Sequence, residues 1–149
     1  MGLPLLHSPA AIVARILIEE LAGREPDGSA VDWQVYVGIE PNRPDSVMTV
    51  FDTTSEYHGR TAPDNGADQH YGIQVRVRSR TAQTGFVQAL VVCQTVDERS
   101  TQRRVVIGVA SYMVATIVRR GDPINIGRGE LSDLNIVTLN AVLAVRRLS

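Results

Sequence analysis

The chain has 149 residues, of which 44% are hydrophobic and 21% charged, with a formal net charge of −1 and one cysteine. That length and balance fit one globular domain with its own core and exclude a disordered chain. No apolar run reaches the roughly 18 residues of a membrane span, and one thiol excludes an internal disulfide.

Met1 to His7 carries no basic n-region and no small-residue cleavage site, so folding in a reducing cytoplasm is expected. Ser8-Pro9 opens a helix, with Ser8 as the cap and Pro9 where its missing N–H costs nothing. Ile12, Val13, Ile16, Leu17 and Leu21 make its apolar stripe, and Gly23 is the expected C-cap. Residues 24–31 read as a loop. Trp33, Val35, Val37 and Ile39 alternate with polar or small residues, so 32–39 is a strand. Pro41 to Asp45 is a proline-fixed turn, and Ser46–Phe51 is the returning strand of a hairpin, apolar on both faces and therefore central.

Asp52 to Gln69 has no apolar periodicity and reads as a long loop. With His58, His70 and several carboxylates it could hold a metal, but the spacing matches no ligand motif, and a solvated acidic loop is the favoured reading. Tyr71 to Arg80 follows. Ile73, Val75 and Val77 alternate with Gln74, Arg76 and Arg78, giving a strand with one greasy and one wet, basic face. Thr81 or Thr84 caps a second helix to about Val96, with Phe86, Leu90 and Cys93 as its stripe and Val87 and Val91 beside it. Val105 to Val118 is β-rich, broken by a loop or bulge at Gly108–Ser111. Ile124–Ile126 is short, Gly127-Arg128-Gly129 is a turn, and Asn135–Leu148 is the last strand, with Val137, Leu139, Ala141, Leu143 and Val145 on one face. The expected fold is α+β: a mixed, largely antiparallel sheet packed with two α-helices, in a single domain over 1–149 with a long loop at 52–70.

The net charge hides an asymmetry. Residues 1–75 carry four arginines against eleven acids, a net of −7, and residues 76–149 carry eleven arginines against five acids, a net of +6. Chance on a solvated surface gives such a split, and so do complementary faces of a head-to-tail assembly. All fifteen basic residues are arginine, which suits interfaces and phosphate but also follows from codon bias. There is no GxSxG, P-loop, GxGxxG, CxxC or HExxH, and Gly127-Arg128-Gly129-Glu130 is too generic to cradle a nucleotide. Catalysis is not expected, and no catalytic, metal or cofactor residue is assigned.

Several short segments, in this order and spacing, resemble the tail terminator proteins (minor capsid or tail completion proteins) of long-tailed bacteriophages. They are the capped first helix, Phe51-Asp52-Thr53-Thr54, Gly72 to Arg78 leading into a helix, Tyr112-Met113-Val114, Gly121-Asp122-Pro123-Ile124, Gly127-Arg128 and the strand around Asn140. The resemblance implies a virion protein of the tail or neck, assembled in the host cytoplasm. Such proteins form a ring, typically of six copies, on the tail tube. The ring stops polymerisation, joins tube to head-tail connector proteins, and lets DNA pass without sequence readout. No membrane partner is implied. On that reading the candidate interface or lumen residues are Arg76, Arg78 and Arg80, the loop acids Asp52, Glu56, Asp64 and Asp68, and Arg119, Arg120 and Arg128. Salt bridges between copies are favoured over DNA contact for Arg76 and Arg78, because a channel that releases DNA gains nothing by gripping it; a plain solvated strand face stays open as the alternative. A different neck or head-completion connector is the nearest functional alternative, and a binding module or enzyme using the 52–70 loop is the remoter one.

Overall fold

A computed structural model describes residues 3–53, 59–60, 68–128 and 134–148, and of residues 59, 60 and 128 the backbone alone. The elements in chain order are α1 (Pro9–Glu19), β1 (Gln34–Val37), β2 (Val47–Thr53), β3 (Gly59–Arg60), β4 (Gln69–Ser79), α2 (Ala82–Arg99), β5 (Arg103–Ile107), β6 (Ala110–Arg119), β7 (Ile124–Arg128) and β8 (Asn135–Arg147). Among the described residues the strands form one sheet, ordered β1-β2-β4-β8-β6-β5, with β3 paired to β4 and β7 to β8. Every pairing is antiparallel except β1 with β2. The chain is thus an α+β domain with a mixed, mostly antiparallel sheet and two helices. No described helix is long and apolar enough to cross a membrane.

Alternation explains the two long central strands. Ile73, Val75 and Val77 of β4 pair with Ala141, Leu139 and Val137 of β8, and all six join the core. Onto this face α1 lays Ile12, Val13, Ile16 and Leu17, all at most 1% exposed. Each such burial stabilises the fold by about 1.5–3 kcal/mol before entropy is counted. Helix α1 touches both β1 and β5, the two ends of the strand order, so the sheet curls around it. Its N-terminus is tied down twice: Ser8 Oγ accepts the Ala11 N–H at 3.2 Å, and Asp52 Oδ1 accepts the Ala10 N–H at 2.9 Å.

The expected hairpin of 32–39 with 46–51 is overturned. Trp33 takes a positive φ of 68°, which delays β1 to Gln34, and β1 runs parallel to β2 in the register Gln34↔Val47. The connection 38–46 does not turn back. Gly38, at φ 77°, donates to Val50 O at 2.9 Å, and the chain then recrosses the sheet so that Ser46 O meets the Trp33 N–H at 3.0 Å. The second strand is central as expected, flanked by β1 and β4.

Gly23 is not the helix cap. Leu21 holds the left-handed position, φ 60°, while its N–H reaches Ile18 O and that of Ala22 reaches Leu17 O, the paired bonds of a Schellman end. Gly23 is needed for space instead: a Cβ there would lie 2.2 Å from Val35 Cγ2 and 2.7 Å from Met48 Cε. Leu21 is 89% exposed, so its side chain offsets little of the left-handed strain. Leu21→Gly therefore raises stability by about 0.5–1 kcal/mol, read as a higher thermal midpoint; an unchanged or lower midpoint contradicts the strain argument.

Helix α2 starts at the expected cap, Thr81, whose Oγ1 accepts the Thr84 N–H at 3.1 Å, and runs three residues past the expected end. Its expected stripe is corrected. Gly85, Ala89, Val92, Cys93 and Val96 face the sheet, whereas Phe86, Val87, Leu90 and Val91 are 38–49% exposed. A Cβ on Gly85 would sit 2.4 Å from Ser79 Oγ, so small residues face the sheet because the helix lies close to it. The 105–118 run is a hairpin: β5 and β6 pair across Gly108-Val109, with Gly108 at φ 59°. A bulge between Val114 and Thr116 then shifts the phase, so Ile117 rather than Val118 points to the core. Gly127 and Arg128, expected in a turn, instead continue the short 124–126 piece as β7, bulged between Asn125 and Gly127 against β8. The expected loop 52–70 is sheet at both ends, since Asp52 and Thr53 close β2, and Gly59 and Arg60 pair with His70 and Gln69. Glu56, His58 and Asp64 lie outside the described residues, so the metal reading of this loop finds no test on them.

Candidate subunit interface

The basic side of β4 is partly sealed by its own chain. The 38–46 connection folds back over it and places Glu40 between Arg76 (Nε–Oε1, 3.7 Å) and Arg78 (Nη1–Oε2, 3.6 Å). Arg78 also donates to Pro44 O at 2.8 Å and to Asp45 O at 3.2 Å, and is only 7% exposed. The wet, basic face expected from alternation is therefore dry at Arg78. Arg76 keeps a third of its side chain in solvent, and Arg80 reaches Asp45 Oδ2 at 3.3 Å from an exposed position. Beside Arg76 the buried Thr49 Oγ1, Arg76 Nε and Glu40 Oε1 have no hydrogen-bond partner among the described residues. That leaves the Arg76–Glu40 contact a loose ion pair.

The same logic runs through the rest of the charge. Arg103 bridges Glu19 (3.5 Å) and Glu20 (3.2 Å), Arg99 reaches Glu20 at 3.5 Å, and Arg146 reaches Asp68 at 3.3 Å. Together with the Glu40 and Asp45 pairs, these join arginines of the second half of the chain to acids of the first half. The asymmetry in sequence thus has an outlet inside one copy. Most of these pairs keep part of their side chains in solvent, each contributing on the order of 1 kcal/mol or less.

Arg119 makes the best-formed pair. Its Nε and Nη2 donate to Asp97 at 2.8–3.1 Å, and Nη1 lies 3.6 Å from Asp122 Oδ1. The hydrogen bond to Asp97 raises the Arg119 pKa further above its ordinary value. Behind it, burial pushes the Cys93 thiol up, against the opposing pull of Arg119. An open depression of about 360 Å³ is lined by Asp97, Ile117, Val118, Arg119, Gly121 and Asp122. Its polar groups are already committed to one another, so it is a brace between α2 and β6 rather than a receptor for a small molecule.

The remaining candidates scatter. Asp52 serves the α1 N-terminus, and Asp68 pairs with Arg146. Arg120 donates its backbone N–H to Asn140 O at 2.8 Å at the β6 end. Arg128 pairs through its backbone with Asn135, and its side chain is outside the description, as are Glu56 and Asp64. Among the described residues no group of three His, Cys, Asp or Glu side chains could hold a metal. The structure brings Arg76 and Arg78 together on β4, with Arg80 just past its end, and leaves the other candidates apart.

Two features were not anticipated. Glu40, the hub of the β4 arginines, falls between the expected strand 32–39 and the expected turn 41–45, and no local pattern marks it. The exposed apolar side of α2 was readable in principle: Gly85, Ala89, Val92 and Val96 recur at i, i+4, i+7 and i+11, the spacing of a buried stripe. Their small size hid it behind the larger Phe86 and Leu90. No protein-family model matches the chain, and no curated protein matches it in sequence.

Proposed function

We propose that the chain is a structural virion subunit that assembles as a ring, typically of six copies, at the end of a phage tail tube, where it ends polymerisation and offers the surface that joins tube to head. The observation that supports this best is the outer side of α2. Phe86, Val87, Leu90 and Val91 form a contiguous half-exposed apolar patch on a helix whose other side is fully packed. A patch of that kind marks a surface that is covered in the working state. The resemblance agrees with it: Phe51-Asp52-Thr53 ends β2, Gly72–Arg78 is the core of β4, and Tyr112-Met113-Val114 lies in β6, so the shared segments form the scaffold that presents such a surface.

Arg76 of β4 and Arg80 just after it are the arginines here still able to meet a neighbouring copy, because both keep side chains at least partly in solvent whereas Arg78 does not. DNA passing a lumen of such rings meets no sequence-reading element. The test is deletion of the gene from the phage that encodes it, with electron microscopy of the lysate. Tails of irregular, excessive length are expected. Normal-length tails detached from filled heads would replace this reading with a neck connector, and normal infectious particles would remove both.

A further inference from the structure

One end of the sheet is left open. Strand β5 is the last in the strand order, and among the described residues no strand or bridge lies on its outer side. Its ladder to β6 runs without a break from Arg103↔Val114 to Ile107↔Ala110. Ser111 O points away from β5, to the Leu148 N–H at 2.8 Å, so Ala110, Tyr112 and Val114 are the residues of β6 that bond β5. Their partners Ile107, Val105 and Arg103 use their backbone groups on β6. Arg104 and Val106 therefore each turn an N–H and a C=O to the free edge.

Other edges are covered by the chain itself. Arg24 lies along β1, its N–H on Trp33 O at 2.8 Å and its C=O accepting the Val35 N–H at 2.9 Å. On β7, Asn125 Oδ1 accepts the Gly127 N–H at 2.8 Å. Strand β5 has no proline, no bulge and, among the described residues, no such cover. Beside it lies an apolar depression of about 250 Å³, lined by Ala11 and Ile18 of α1, Ile107 of β5 and Val37 of β1, with the paired Arg15 and Glu25. Ile107 belongs to both edge and depression, so a strand added to β5 carries its inward side chains onto α1 there.

We infer that the free edge of β5 takes an extended segment of a different protein as an added strand, apolar on the side facing α1 and carrying a carboxylate opposite Arg104. Backbone groups in register recognise an extended chain of any sequence, and the depression beside them selects alternate apolar side chains. Charge sets the rest. Arg99 and Arg103 are held by Glu19 and Glu20, and Arg15 by Glu19 and Glu25. Arg104 is exposed, and its side chain has no partner among the described residues. A cross-strand acid is its complement. A second copy does not supply one: the edge strands β1, β3, β5 and β7 contain no Asp or Glu, and two β5 edges side by side gather four arginines. The edge is open whether or not copies form a ring, so either proposal can fail without the other.

The test is amide–water exchange, measured by NMR on the full chain with an acetylated, amidated Ser-Val-Glu-Val-Glu-Val-Ser peptide. In either strand direction it sets valines inward and glutamates outward. Half-saturation is expected on the order of 1 mM, and at about ten times that concentration the Arg104 and Val106 amides exchange about tenfold more slowly. The lysine counterpart, Ser-Val-Lys-Val-Lys-Val-Ser, binds about threefold or more weakly, and Arg104→Glu reverses that preference. Val106→Pro removes only an outward N–H, so the fold stays and the protection of Arg104 is lost. Absence of protection by the glutamate peptide overturns the inference. So does equal protection by the two peptides, or protection that survives Val106→Pro and hence arises elsewhere. Protection that grows with protein concentration in the absence of peptide puts a second copy on the edge and overturns the assignment to a different protein.

Discussion

Arg78→Met lowers the stability of the fold by about 3 kcal/mol, seen as a fall in the urea midpoint at unchanged slope. The substitution is similar in length and apolar, so no cavity contributes. What is lost is the set of charge-assisted bonds to Pro44 O and Asp45 O and the contact with Glu40. Two carbonyls of the 38–46 connection are then left without their donor, and one carboxylate loses one of its two arginines. Arg76→Met, on the same strand and facing the same Glu40, costs less than about 1 kcal/mol because its side chain is a third exposed and its ion pair is long. Equal losses for the two variants would mean that the connection is not held by Arg78. Assembly experiments must respect this contrast. Reversing both arginines to glutamate sets like charges against the half-buried Glu40 and releases the 38–46 connection from β4, so failed assembly of that variant says nothing about an interface. Arg76→Glu alone is the informative change.

Tyr112 gives the second large effect. Its ring is fully buried, and its hydroxyl accepts the Leu6 N–H at 3.2 Å and meets His7 Nδ1 at 2.7 Å. The His7 ring stands edge-on to it, with centroids 5.8 Å apart. Tyr112→Ala costs about 4 kcal/mol through the cavity it leaves. Tyr112→Phe keeps the packing and costs about 1–2 kcal/mol by leaving two polar partners unmet. The two variants separate core from tether. In Tyr112→Phe, amide exchange accelerates over residues 3–7 more than in β8, although Leu3 bridges Arg147 there. Uniform acceleration across the sheet would show that the hydroxyl acts on global stability and does not tether the N-terminal segment.

What sequence could and could not show follows from the range of each interaction. Strand β4 and strand β8 were legible because one residue's neighbours along the chain determine which face it joins. The α1 cap was legible because Ser8 and Ala11 are three residues apart. The parallel β1–β2 pair was not, since a proline-containing turn looks the same whether the chain reverses or recrosses. The facing of α2 was misread because hydropathy favours the largest side chain, while close approach of helix to sheet at Ser79 selects the smallest. The bulge at Val114/Thr116 was invisible because it preserves apolar content while shifting phase. For the site, the charge asymmetry was on view but its destination was not: Glu40 meets Arg76 and Arg78 only after the sheet has formed.

The position of β8 has a consequence for how the molecule comes into being. This strand is the last in chain order yet sits between β4 and β6 at the middle of the sheet. Chains emerge from the ribosome at about 5–20 residues per second, so β1, β2 and β4 wait seconds with one edge of β4 unpaired. The acids of the first half likewise wait for Arg99, Arg103 and, last of all, Arg146. Folding is therefore a single late event, gated by the arrival of residues 135–147, and dominated by contacts distant in sequence that form slowly. A nascent chain stalled before Asn135 holds an open, apolar strand edge, and it is there that chaperone engagement and misassembly of newly made subunits are concentrated.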